Sequence, residues 1–197
     1  MYAQIQFACL LVAVCLVGSI SAQVYSRGPC PEVTVQENFD VNRYLGIWYE
    51  AARFYTTFQK DSRCVVANYT LKDNGHINVL NSGYFPGEGY GSDVGDGKPN
   101  PDNPAKIGLK FNTLQPRGKY WVLDTDYDTY TLVHSCSSFF DLFNVQLNWI
   151  LVRDSSLSTG DASKIQPQLT KFEKQGIYID RFQFYGHVNC PPKDTGV

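Results

Sequence analysis

Between residues 46 and 153 apolar and polar side chains alternate in short runs punctuated by turn residues, a pattern of strands rather than helices. The run RCVVANYTLK (63–72) sets Val65, Ala67, Tyr69 and Leu71 on one face and Asn68 on the other. Asp73-Asn74-Gly75 supplies a tight turn, and HINVLNS (76–82) groups Ile77, Val79 and Asn81. In AKIGLKF (105–111) Ile107, Leu109 and Phe111 oppose Lys106 and Lys110, the cleanest amphipathic strand of the chain. KYWVLDT (119–125), TYTLVHSC (129–136) and LNWILVR (147–153) read as further strands.

Two segments break the pattern. From Gly83 to Pro104 the chain carries six glycines and four prolines. Glycine there costs backbone entropy, so mobility is expected, with one weak, irregular strand near 88–95. In DASKIQPQLTKFEKQG (161–176), Ile165, Leu169 and Phe172 recur at helical spacing and Gly176 supplies the stop. Pro167 fits the first turn, so the helix is expected to begin near Lys164. A short last strand, RFQF (181–184), precedes Cys190. Eight or nine strands with one helix outside suggest an all-β domain, either an antiparallel up-and-down barrel or a two-sheet sandwich.

Composition narrows the setting. The first 22 residues carry no charge, hold an apolar run from Phe7 to Val17 and end in small residues, as a secretory signal peptide does. That run is too short to span a bilayer. Residues 23–197 are then expected to form one domain in a secreted, extracellular protein. A net charge of −2 gives no basic stripe for nucleic acid. The four cysteines beyond the leader, Cys30, Cys64, Cys136 and Cys190, suggest two disulfides, with three connectivities open. Asn68-Tyr69-Thr70 is the only glycosylation sequon.

If successive strands join by hairpins, one end of a barrel gathers Gly46, Trp48, Thr125, Asp126, Tyr127 and Arg153. Gly46 allows close backbone approach, Trp48 can plug the floor, and a guanidinium can lie on its indole for about 0.5–2 kcal/mol. Asp126 suits a turn stabilised by bonds to backbone amides. The opposite, open end receives YTTFQKDS (55–62), the Gly/Pro stretch, NTLQPRG (112–118) and SSFFDLFNVQ (137–146).

These residues resemble the three motifs of the lipocalins: NFD with Tyr44-Leu45-Gly46-Ile47-Trp48-Tyr49, then Thr125-Asp126-Tyr127, then Arg153. VQENFDVNRYLGIWYE, RCVVANYTL, YWVLDTDYDTYTLVHSC and VNCP are similar to the subgroup of apolipoprotein D and Lazarillo. The resemblance covers nearly all of residues 23–197. It implies an eight-stranded antiparallel up-and-down β-barrel with a C-terminal α-helix outside, and pairs Cys30 with Cys136 and Cys64 with Cys190. Ser138 stands where the human-type relative has an unpaired cysteine, so no covalent lipoprotein link is expected.

Such a barrel is just wide enough for one small ligand. Alternation predicts a wall of Val65, Ala67, Tyr69, Val79, Asn81, Leu109, Phe111, Tyr120, Val122, Leu132, Trp149 and Leu151; the competing arrangement is a solid interior. Asn81 and the Tyr120 hydroxyl suit the polar end of a ligand. Phe139, Phe140, Leu142 and Phe143 fall in an open-end loop, as a packed lid or as an exposed patch that touches a lipid surface or lipoprotein. His76, His134 and His187 are scattered, so no metal is expected. No nucleophile-base set stands out, so no enzyme is expected. The expected function is a secreted carrier of a fatty acid, sterol, retinoid or similar lipid, with no obligatory cofactor. A bilin- or carotenoid-binding pigment protein, alone or in an assembly, is the alternative.

Overall fold

The computed structural model describes residues 24–192. The expected leader, residues 1–22, lies outside them. Among these residues ten strands pair antiparallel in one sheet, in which the second to the ninth each pair with the next in sequence, and a pairing of the ninth with the second closes those eight into a barrel. The barrel strands are β2 (Gly46–Phe54), β3 (Arg63–Leu71), β4 (Ile77–Phe85), β5 (Gly89–Pro99), β6 (Lys106–Lys110), β7 (Gly118–Thr125), β8 (Tyr130–Phe139) and β9 (Phe143–Val152). Strand β1 (Val24–Arg27) pairs with β9, and the two-residue β10 (Phe182–Gln183) pairs with β2. A closed sheet leaves no long edge to aggregate.

Two apolar clusters hold this arrangement. The inner one gathers Trp48, Ala67, Tyr69, Ile77, Val79, Ile107, Val122, Val133 and Leu151. The outer one lies between the barrel and α2 (Gln166–Lys174), where Ile165, Leu169 and Phe172 meet Phe54, Leu132, Ile150 and Phe182. Each of those buried helix side chains contributes about 1.5–3 kcal/mol. A 3-10 turn, Ala162–Ile165, leads into α2, and Pro167 lies in its first turn. A four-residue helix not expected from periodicity, α1 (Val41–Tyr44), precedes β2, its N-terminus capped by the Asp40 carboxylate.

The Gly/Pro stretch departs most from expectation. Where one weak, irregular strand was expected near 88–95, Gly89–Pro99 is an eleven-residue strand, paired with β4 over nine residues and with β6 over four. Its inward positions include Gly91, Gly95 and Gly97, so the strand leaves room for side chains from its neighbours. A Cβ on Gly95 would lie 2.9 Å from the Phe111 ring, and one on Gly97 would lie 3.2 Å from Ile107. Only the turn at 86–88 joins β4 to β5; residues 100–105, beyond Pro99, join β5 to β6. Leu71, expected inside, is 49% exposed at the last residue of β3, where the barrel wall has ended.

Candidate ligand-binding site

At one end the barrel is sealed. Gly46 adopts φ +94, a left-handed conformation that glycine takes without strain, and a Cβ there would stand 3.4 Å from Arg153. That turn delivers Trp48, fully buried, with its Nε1–H donating to the Tyr44 carbonyl at 2.9 Å. The Arg153 guanidinium lies over the indole and donates to the carbonyls of Ile47, Leu45 and Tyr127. Partial burial raises the Asp126 pKa, but its carboxylate accepts from the Thr129 hydroxyl and from the amides of Thr129, Tyr130 and Asp128, which together hold it below the ordinary value. Thr125 Oγ1 donates to the Tyr130 carbonyl and accepts from the Tyr127 amide. Arg43 stacks on Tyr127, and the Tyr127 hydroxyl accepts from the Asp40 amide.

Above this floor the inward row carries Val65, Ala67, Tyr69, Val79, Leu109, Tyr120, Val122, Trp149 and Leu151. Leu132 is the exception. Strand β8 pairs with β9 without a shift and sets Leu132 opposite Ile150 on the outer face, so Leu132 packs beneath α2 while Val133 and Thr131 face the interior. Phe111 lies over Gly95 and remains 43% exposed, and Asn81, Leu109, Tyr120 and Trp149 are half-buried. The interior is therefore reached from one side. The deepest space, bounded by Tyr44, Tyr69, Ile77, Val79, Ile107, Leu109 and Tyr120, is narrow: about 10 Å³. A wider recess of about 580 Å³ lies outside the barrel, between Val35–Phe39 and Asp102–Pro104, with mainly polar walls.

Three features of this interior escaped the strand pattern. The hydroxyls of Tyr44 and Tyr69 each lie 2.9 Å from that of Tyr120. Burial pushes the Tyr44 pKa up to about 12 and raises those of Tyr69 and Tyr120 as well, so all three stay protonated. Nearer the opening, Glu50 and Arg53 form a buried ion pair on β2. It grips Gln59, whose side chain donates to Glu50 and accepts from Trp149 Nε1–H at 3.0 Å, while its carbonyl accepts from Arg53. Finally, the buried Asn81 Oδ1 has no partner among the described residues.

Disulfides join Cys30 to Cys136 and Cys64 to Cys190. The histidines do not converge: His76 meets Asp96, His134 meets Asn148 and His187 meets the Val65 carbonyl. Among the described residues no group of three His, Cys, Asp or Glu is placed to hold a metal. Asn68 is half-buried on β3, and Phe139 and Phe143 are paired strand ends rather than loop residues, with stacked rings. Phe140 and Leu142, at the turn between them, are 95% and 72% exposed.

A closed eight-stranded barrel, plugged by a tryptophan under an arginine and reached from the other end, defines the lipocalin class. A lipocalin-like domain matches residues 39–187, and the chain belongs to that family. Its relatives include apolipoprotein D of the guinea pig Cavia porcellus, 40% identical over 89% of this chain and 92% of that protein. The mouse (Mus musculus) protein of the same name is 41% identical over 86% of this chain and 88% of its own length. Insecticyanin from the tobacco hornworm Manduca sexta shares the fold, with a TM-score of 0.72 at 24% identity over 85% of this chain and 90% of that one.

Proposed function

We propose that the protein is a secreted carrier that takes up one small hydrophobic molecule, such as a fatty acid, sterol or retinoid, and transports or sequesters it outside the cell. The observation that carries this reading is the interior itself: a sealed floor, apolar walls still reached from the opposite end, and an unpartnered polar atom on Asn81. Burying about 300 Å² of apolar ligand surface gains on the order of 7 kcal/mol, enough for micromolar binding after ordering costs. The interior is narrow, so a lipid-sized ligand displaces side chains, and the half-exposed Phe111 is the one best placed to swing.

The two disulfides support an extracellular setting, and with Cys30, Cys64, Cys136 and Cys190 all paired, none of the described residues offers a thiol for catalysis. Phe140 and Leu142 suit transient contact with a lipid surface during transfer. Titration with a long-chain fatty acid or a retinoid, read by tryptophan fluorescence, tests the carrier. Quenching that Trp149→Phe blunts supports it; a flat response across both ligand types rejects it.

A further inference from the structure

The net charge of −2 hides an uneven distribution. Six of the 17 lysines and arginines gather on the outer face of β5, β6 and β7: Lys98, Lys106, Lys110, Arg117 and Lys119, with Lys72 reaching in from the end of β3. Their strand neighbours Gly97, Ile107, Leu109 and Tyr120 face the interior, so alternation turns the lysines outward. Lys98 stands opposite Gly108, and Gly108 opposite Lys119, which sets those two lysines about 10 Å apart across two strand gaps. Lys106 and Lys110 flank the same glycine along β6, about 13 Å from each other. Four lysines thus surround one position that has no side chain. Arg117 lies across it: a Cβ on Gly108 would stand 3.2 Å from Arg117 Cδ, and the guanidinium donates to the Gly108 carbonyl at 2.9 Å.

Little negative charge answers this cross. The Asp96 carboxylate is shared by Arg117, by Lys72 at 2.8 Å and by His76 at 3.0 Å. Among the described residues Lys98, Lys106, Lys110 and Lys119 have no carboxylate partner. The other acids between 89 and 125 are turned elsewhere. Asp93 shares the inward face with Gly91 and Gly95, Asp102 lines the recess against Val35–Phe39, and Asp124 pairs with Lys171 of α2. Between the Lys106 and Lys119 ammonium groups, 4.8 and 5.2 Å from its ring, lies the half-buried indole of Trp121.

We propose that this face binds a linear sulfated polysaccharide, with Lys98, Lys106, Lys110 and Lys119 taking sulfate groups and Trp121 packing against a sugar ring. It goes beyond the carrier reading, and the choice of polymer rests only on the extracellular setting of that reading. The four ammonium groups are spread too widely for one small anion to meet them all, whereas an extended polyanion meets them together and releases its condensed counterions. A bilayer that receives Phe140 and Leu142 lies across the open end, while these lysines leave the side wall of the barrel. Because the face is outside, polymer bound there leaves the barrel opening free. The lipid carrier is thereby held on a polysaccharide-coated surface.

The probe is heparin, with affinity measured by calorimetry across a series of salt concentrations. The variant Lys98→Gln/Lys110→Gln/Lys119→Gln is compared with Lys60→Gln/Lys164→Gln/Lys174→Gln, which removes the same charge from exposed lysines elsewhere. At about 0.15 M salt the first is expected to bind heparin at least about tenfold more weakly than the native protein, with a log–log salt dependence shallower by about 2. The second is expected to lose less than about threefold. A footprint on the native protein needs no variant: heparin is expected to protect Lys98, Lys106, Lys110 and Lys119 from acetylation but not Lys60, Lys164 or Lys174. Equal losses in the two variants, uniform protection, or no heparin binding at about 0.15 M salt would overturn the proposal. So would tighter binding, charge for charge, to phosphatidylserine vesicles or to poly-glutamate, which would assign the face to a lipid surface or an acidic protein segment. Lipid titration of the first variant is expected to match that of the native protein, so failure of the carrier reading and failure of this face are told apart.

Discussion

The Arg153 guanidinium carbon lies 3.7 Å from the centre of the Trp48 ring, and its N–H groups reach carbonyls on α1, β2 and the β7–β8 turn. One side chain thereby ties three segments around the sealed end. Arg153→Lys keeps the charge but loses the planar fork that reaches several carbonyls at once. It is expected to lower stability by about 1–3 kcal/mol, and Arg153→Met by at least as much. Denaturant unfolding checks this; a lysine variant as stable as the native protein would refute the assignment of the fork as the tie.

Glu50 and Arg53 are both almost fully buried, and Arg53 also stacks on Tyr185 and donates to the Ser62 carbonyl. Removing one partner leaves the other charge uncompensated, so Arg53→Met is expected to cost about 3–5 kcal/mol. Replacing both, in Glu50→Leu/Arg53→Met, is expected to recover much of that loss. A double-mutant cycle reads the coupling, and strict additivity of the two losses would show that the charges do not act on each other.

Most of the barrel was legible because side chains alternate with a period of two along β3, β4 and β6, and the helix because Ile165, Leu169 and Phe172 share one face. Strand β5 was not. Alternation is a pattern of side chains, and at Gly91, Gly95 and Gly97 the inward side chain is a hydrogen atom. Leu132 was misplaced because Leu132 and Val133 are both apolar, so alternation along β8 does not say which of the two faces the interior. Glu50, Arg53 and Gln59 left no sequence signal, since their meeting depends on the β2–β3 loop folding back over the wall. Tyr44 stands in the motif before Trp48, but its role at the cavity base follows from its contact with Tyr120 on a distant strand.

His134 is buried on the outer face of β8 with its ring nitrogen 2.7 Å from Asn148 Oδ1. Burial, with a smaller effect from Lys119, lowers its pKa below the ordinary 6.5. The folded state therefore resists a proton that the unfolded state accepts, so stability is lost as pH falls below about 6.5 toward the folded-state value. His187 is shifted the same way by burial. The shifted carboxylates, Asp96, Asp126, Asp154 and Asp161, have lowered pKa values, so their contribution fades only at more acid pH, below about 4. Between about pH 7.5 and about pH 5 the melting temperature is expected to fall, and His134→Gln to flatten part of that slope. An equally steep slope in the variant would place the titrating group elsewhere.

Gly95 and Gly97 lie two residues apart on the inner face of β5, yet they are expected to respond differently to an added methyl group. At Gly95 the methyl meets the edge of the Phe111 ring, which is 43% exposed and can move outward, and the end of the half-buried Leu109 side chain at 3.2 Å, which can shift with it. At Gly97 it meets Ile107 at 3.2 Å and Ile77 at 3.5 Å, both buried in the inner cluster and fixed between paired strands. Overpacking a fixed site costs about 1–3 kcal/mol, whereas a side chain free to rotate relieves most of the strain. Gly97→Ala is therefore expected to lose stability by about that amount, and Gly95→Ala by less than about 1 kcal/mol. Ligand affinity reverses the order. Moving Phe111 reshapes the path into the barrel, so Gly95→Ala is expected to weaken binding of a long-chain lipid several-fold more than its small stability loss implies. Thermal unfolding and a fluorescence titration on the two variants separate the effects. Equal stability losses would mean that Phe111 is held as firmly as Ile107, and then the swing required to admit a ligand is not available.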